Sequence, residues 1–211
     1  MAVKKNPNFF IGLSLSAQVS TESGLAILND KLEIIRLDKL FSMDDIRHFF
    51  NNFSSLKNSV LCVSLPYDNS MLEGHWRLYS KPYTFFNDNK MVNRNEWLKR
   101  YSSRSNEFWN EIKDLPCAFY RYDISLTRMA FGLKSPFLNR SPLDCQFLQN
   151  ALKSEFGLSE LPTNMLSVAF LEGIMGALLA HRIAFGVCDK DYKKISRQFD
   201  FDVMLPILNT K

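Results

Sequence analysis

Two apolar runs, Phe9–Leu15 and Gly24–Leu28, flank a polar connection of Ser, Gln, Thr, Glu and Gly, and strand-like stretches around turn chemistry predict a β-hairpin. The first strand is apolar throughout, as a strand in the middle of a sheet would be. A third run, Lys31–Leu40, mixes charged residues with Leu32, Ile34 and Ile35 at its centre, so three antiparallel strands open the chain. Ser42-Met-Asp-Asp45 reads as a capping-box variant, with a hydroxyl for the free amides and an acid in the first turn. A helix should run from there to about Phe53, with Ile46, Phe49, Phe50 and Phe53 on one face. Ser59–Pro66 is a continuous apolar run of strand length ending in Pro, the pattern of a strand buried on both faces.

Residues 67–93 scatter Asn, Asp, Ser and Pro among Trp76, Tyr79, Tyr83, Phe85 and Phe86, and so many aromatics argue for an ordered excursion. Asn93–Asp114 has the spacing of a helix, with Trp97, Tyr101, Phe108 and Ile112 sharing a face. Cys117–Tyr122 reads as a short aromatic-rich strand. After a loop with Pro136 and Arg140, Ser141-Pro142 opens a helix that Gly157 closes. The last helix, Thr163 to Phe185, is nearly all apolar and lines Ala169, Gly173, Gly176, Ala177, Ala180 and Ala184 along one side, so a backbone can approach it closely. Glu172, His181 and Arg182 interrupt it, and inserting an acid and an arginine into a bilayer costs several kcal/mol, so it is expected inside a globular protein and no membrane is expected as a partner. Phe199–Pro206 alternates and reads as a half-buried strand or docking segment.

At 211 residues and 46% hydrophobic content the chain can bury one large core, and a single domain over residues 1–211 is expected, with an irregular and helical insertion at about 67–114. A net charge of +4 permits contact with nucleic acid without demanding it. Cys62, Cys117, Cys145 and Cys188 lie far apart without a CxxC pair, which suits free thiols and a cytoplasmic location. The lysines ahead of Phe9 imitate a signal peptide, but the apolar run continues into a strand pattern.

The order of three antiparallel strands, a helix, a buried strand, an excursion with a helix, another strand and then helices fits an α/β ribonuclease-H-like fold, a mixed five-stranded sheet flanked by helices. Five segments carry a resemblance as well: Gly12-Leu-Ser14, Val63-Ser-Leu-Pro66, Tyr122 through Ala130-Phe-Gly-Leu133, Leu171-Glu-Gly-Ile-Met-Gly-Ala-Leu-Leu-Ala180 and Val203-Met-Leu-Pro206. In these, and across nearly its whole length, the chain resembles a family of predicted nucleases of unknown function in the ribonuclease-H-like superfamily. That family is related more distantly to Holliday-junction resolvases and actin-like sugar kinases.

The departures from the pattern bear on function. The resemblance implies carboxylates on the first strand, the fourth strand and a late helix, holding two Mg²⁺ that activate water and stabilise the phosphoryl charge. The matching positions here are Ser14, Ser64 and Glu172. A hard cation needs anionic oxygen, which a serine hydroxyl does not supply at neutral pH, so the standard two-metal site is expected to be absent. Asp68, Asp123 and Glu172 could instead form a rearranged site for Mg²⁺ or Mn²⁺ in an atypical nuclease or phosphoryl-processing enzyme. Against this, strand-end acids often serve as caps and turn formers, and a lone acid in an apolar helix is often satisfied by a neighbouring Arg, Tyr or water.

His48, His75 and His181 lie on unlike elements with no metal-ligand spacing. The best nucleic-acid candidate is the stretch from Arg94 to Lys113, where Arg94, Lys99, Arg100 and Arg104 interleave with Trp97, Tyr101 and Trp109: cations for phosphates, rings for bases. An amphipathic helix with a solvated basic face has the same pattern. The expectation is a catalytically silent module that binds nucleic acid or protein, with Phe199–Leu205 as an edge strand through which a protein partner or a second copy could pair.

Overall fold

The computed structural model describes residues 7–66, 83–84, 91–92 and 95–186. Strands β1 (Phe9–Ser14), β2 (Ser23–Asn29) and β3 (Ile34–Leu40) form the antiparallel meander, followed by α1 (Met43–Asn52) and β4 (Ser59–Ser64). A two-stranded ribbon, β5 (Tyr83–Thr84) and β6 (Met91–Val92), precedes α2 (Asn95–Ile112), β7 (Ala118–Tyr122), α3 (Ile124–Ala130), α4 (Pro142–Phe156) and α5 (Val168–Ala184). The main sheet has five strands in the order β3-β2-β1-β4-β7. β2 runs antiparallel to β1 and β3, whereas β4 and β7 run parallel to β1. This is the mixed α/β sheet, flanked by helices, that the order of sequence elements predicts for a ribonuclease-H-like fold.

The central place of β1 explains its unbroken apolar sequence, because both faces are covered. Phe10 joins Cys62, Tyr120, Tyr122 and the apolar side chains of α4 and α5 in one cluster. Ile11 and Leu13 join Leu61, Val63, Phe119 and the buried faces of α1 and α2 in the other. Ser42 caps α1 through a reciprocal box, its hydroxyl accepting from the Asp45 amide. Gly157 ends α4 at φ 70°, the left-handed conformation glycine adopts without a Cβ clash.

Two elements are shorter than periodicity predicts. The third strand starts at Ile34 because Asn29 Oδ1 accepts from the Lys31 and Glu33 amides and holds the connection, with Leu32 at φ 63°, as a turn. The last helix starts at Val168 because Gln149 binds the preceding segment: its amide nitrogen donates to the Asn164 carbonyl, and the Leu166 amide donates to its Oε1. The small residues of α5 do admit a close approach, since a Cβ built on Gly173 would lie 2.6 Å from the Gly24 carbonyl oxygen. Among the described residues no helix is long and apolar enough to cross a membrane. Most of the 67–93 excursion, with Asp68 and His75, lies outside the described residues, as do Arg94 and the Phe199–Pro206 segment.

Candidate functional site

The parallel strands β1, β4 and β7 end side by side, and beyond their carboxyl ends lies a cavity of about 750 Å³. Ligands of open α/β sheets bind at this edge, where helices and loops leave a crevice. Each strand delivers one of the sequence-predicted positions there: Ser14 from β1, Ser64 from β4 and Asp123 just after β7. Helix α5 adds Glu172, and α2 adds Trp97, Arg100 and Tyr101.

Glu172 is buried, with 3% of its surface exposed. Its carboxylate accepts from the Ser14 hydroxyl at 2.8 Å and from the Arg140 guanidinium, whose Nη2 lies 2.8 Å from Oε1 and 2.9 Å from Oε2. The Tyr122 hydroxyl donates to the Glu172 carbonyl at 2.8 Å, fixing this turn of the helix against β7. The acid in the apolar helix is therefore satisfied by an arginine and a serine. Ser64 has a local role, its Oγ accepting from the Leu15 amide at 2.8 Å and tying the ends of β1 and β4 together.

Arg140 is itself positioned. It sits at φ 63°, unusual for a residue with a Cβ, and its amide donates to Asp144 at 2.8 Å. Asp144 is fully buried and paired with Arg128 at 2.6 Å, and Arg128 also donates to Asn139 Oδ1 at 2.7 Å. A hydrogen-bonded chain thus runs Arg128, Asp144, Arg140, Glu172, Ser14, buried except at the solvent-exposed Arg140, which joins it through its backbone amide on one side and its guanidinium on the other.

Asp123 caps α3, accepting from the Leu126 amide at 2.9 Å. Burial and, to a smaller degree, the charge of Glu172 push its carboxyl up to about 6. Burial and the same two carboxylates, Asp123 and Glu172, raise the Tyr101 hydroxyl above its usual range. A raised acid in the folded state makes stability fall as pH rises, here through the window from the ordinary 3.8 to about 6. Asn caps helices as well as Asp does, so Asp123→Asn is expected to remove that fall while keeping α3. Urea unfolding of both proteins across this window checks it, and parallel profiles would contradict the expectation.

The described residues do not fit Mg²⁺ or Mn²⁺. No group of three or more His, Cys, Asp or Glu among them could hold a metal ion. The carboxylate that the resemblance assigns to metal carries a guanidinium instead, and the hydroxyls of Ser14 and Ser64 add no charge. Asp123 and Glu172 do share the cavity.

Of the proposed nucleic-acid residues, Trp97, Arg100 and Tyr101 reach the cavity, and the rings of Trp97 and Tyr101 lie 4.8 Å apart and 31° from parallel. Lys99 is exposed but does not line it. Arg104 requires correction: it is 6% exposed and donates to the Phe41 carbonyl, so it ties α2 to the start of α1 and presents no charge to a ligand. The role of Arg140 is invisible in local sequence, and the one signal for it was the need of a lone acid at Glu172 for a partner. The Arg128–Asp144 pair carries no sequence signal beyond acid and base in neighbouring helices. His181 is packed against Phe10 and Phe185, and His48 is exposed beside Asn52.

No protein-family model matches the chain, and no curated protein matches it. Among solved structures, T. thermophilus RuvC in complex with Holliday junction substrate is similar in backbone path, at 11% identity and a TM-score of 0.41, over 85% of this chain and 96% of that one.

Proposed function

We propose that this chain is a ribonuclease-H-like binding module for nucleic acid that works without standard two-metal catalysis. The observation that carries the reading is the Arg140 guanidinium on both oxygens of Glu172. It supplies at that carboxylate the positive charge that a divalent cation would bring, and a cation could enter only by displacing it. Nucleic acid is favoured as the ligand because α2 brings Trp97, Tyr101 and Arg100 to the same cavity: flat rings suit bases and a guanidinium suits a phosphate.

One observation favours an enzyme reading, the presence of Asp123 and Glu172 in a single cavity. A metal-dependent nuclease or phosphohydrolase would need Asp68 to join them and Arg140 to leave. Calorimetric titration of Mg²⁺ and Mn²⁺ into the protein and Glu172→Gln, with binding and cleavage of labelled single-stranded and branched DNA, separates the two. The expected result is salt-sensitive DNA binding, no cleavage and no metal uptake that depends on Glu172. Metal uptake lost in Glu172→Gln, with metal-dependent cleavage, overturns the reading in favour of the enzyme. Absence of both metal and DNA binding turns it toward a protein partner.

A further inference from the structure

We infer that the cavity receives a single unpaired guanine base, whose N1–H and N2–H donate to the Asp123 carboxylate while its ring lies against the Trp97–Tyr101 pair. The inference rests on the nucleic-acid reading and specifies its ligand.

The charges lining the cavity single out Asp123. Glu22 is paired with Lys39 at 2.6 Å, and Glu172 with Arg140. Glu96 is exposed to solvent. Asp123 accepts from the backbone amides of Leu126 and Ser125 alone and has no cation partner among the described residues. Two amides do not exhaust a carboxylate, whose oxygens offer about four acceptor sites. A half-buried anion with spare acceptors stabilises a ligand that presents donors and repels one that presents lone pairs.

The Watson–Crick edges of the bases differ on this point. Guanine has two adjacent donors, N1–H and N2–H, spaced to meet both oxygens of a carboxylate. Adenine and cytosine each set one amino group beside a ring-nitrogen acceptor, and thymine flanks its one N–H with two carbonyls. Only guanine gives Asp123 a bidentate partner without facing it with a lone pair. The cavity, at about 750 Å³, falls within the range of roughly 300–1,000 Å³ typical of small-ligand sites, so a base fits. Trp97 and Tyr101, one helical turn apart, supply the flat apolar wall. Arg100 at the same cavity suits the flanking phosphate.

The test compares fluorescence-anisotropy titrations of short oligothymidine strands carrying one central guanine, one central inosine or none. The guanine strand is expected to bind about tenfold more tightly than the all-thymine strand, the effect of one good bidentate contact. The inosine strand, lacking the N2 amino group, should fall between them. Asp123→Asn keeps a capping side chain but replaces one carboxylate oxygen with a donor, and it should abolish the difference between guanine and thymine strands. Trp97→Ala should weaken all strands alike, by about tenfold, with the preference kept. Equal binding of guanine and thymine strands, inosine equal to guanine, or a preference intact in Asp123→Asn overturns the guanine assignment and leaves nucleic-acid binding standing. Failure of every strand to bind removes both.

Discussion

Gly12→Ala is expected to yield a protein without a stable fold. A Cβ at this position of β1 would lie 1.9 Å from the Gly173 carbonyl oxygen, 2.2 Å from the Ala177 nitrogen and 2.7 Å from the Gly176 carbonyl carbon. All three are backbone atoms of one buried helix, so no side-chain rotation relieves the clash. Either α5 moves off the sheet or β1 distorts within it. Overpacking in cores commonly costs ~1–3 kcal/mol and more where backbone must shift. A cost of at least ~3 kcal/mol consumes much of a total stability of ~5–15 kcal/mol. Urea unfolding followed by circular dichroism should show a collapsed midpoint or no cooperative transition. Gly176→Ala provides the contrast, because its Cβ would meet only the end of the buried Tyr122 ring, at 2.9 Å, and a small shift of that ring, at some cost to its hydrogen bond with the Glu172 carbonyl, relieves the contact without moving backbone. A milder loss is expected there, and equal stability of Gly12→Ala and the parent would refute the close packing of α5 on β1.

Asp144→Ala is expected to cost ~3–5 kcal/mol, the range for removing one partner of a buried ion pair. Asp144 is fully buried and Arg128 is 8% exposed, so the deletion strands a guanidinium in the core and leaves the Arg140 amide without its acceptor. The loss is electrostatic, so the double replacement Arg128→Met with Asp144→Leu should recover much of it. Burial alone would raise the Asp144 carboxyl, but the Arg128 guanidinium and the Arg140 amide outweigh it and hold it below the ordinary 3.8. A depressed acid stabilises above its unfolded pKa and loses that contribution as pH falls through the folded value. The gap between parent and Asp144→Ala should therefore be constant near neutrality and shrink below about pH 4. Denaturant midpoints for both proteins at neutral and acid pH measure this, and a gap that widens in acid would contradict it. Because Asp144 also anchors Arg140, the same variant should loosen the clamp on Glu172.

Elements and their order are written locally in this chain. The apolar run of β1 announces burial on both faces, Ser42 and Asp45 announce the start of α1, Ser141-Pro142 and Gly157 bracket α4, and the small residues of α5 announce a close approach. Such signals need only a few chain neighbours, because periodicity and capping are satisfied within a turn or two. Where a side chain competes for backbone groups, as Asn29 and Gln149 do, periodicity overstates the element.

The site was legible in its parts and not in its chemistry. Ser14, Ser64, Asp123 and Glu172 could be placed at strand and helix positions from the sequence, and the structure gathers them at one edge of the sheet. The sequence also demanded some partner for Glu172, since a buried carboxylate needs one. That the partner is Arg140, 32 residues earlier, and Ser14, 158 residues away, follows only from where α5 crosses β1 and where the loop before α4 returns. Arg104 shows the reverse: its charge suggested a ligand, and the packing of α2 spent it on the Phe41 carbonyl. Local sequence fixes which groups a strand or helix carries, whereas the partner each charge finds is set by contacts between segments distant in the chain, and the tertiary structure alone decides those.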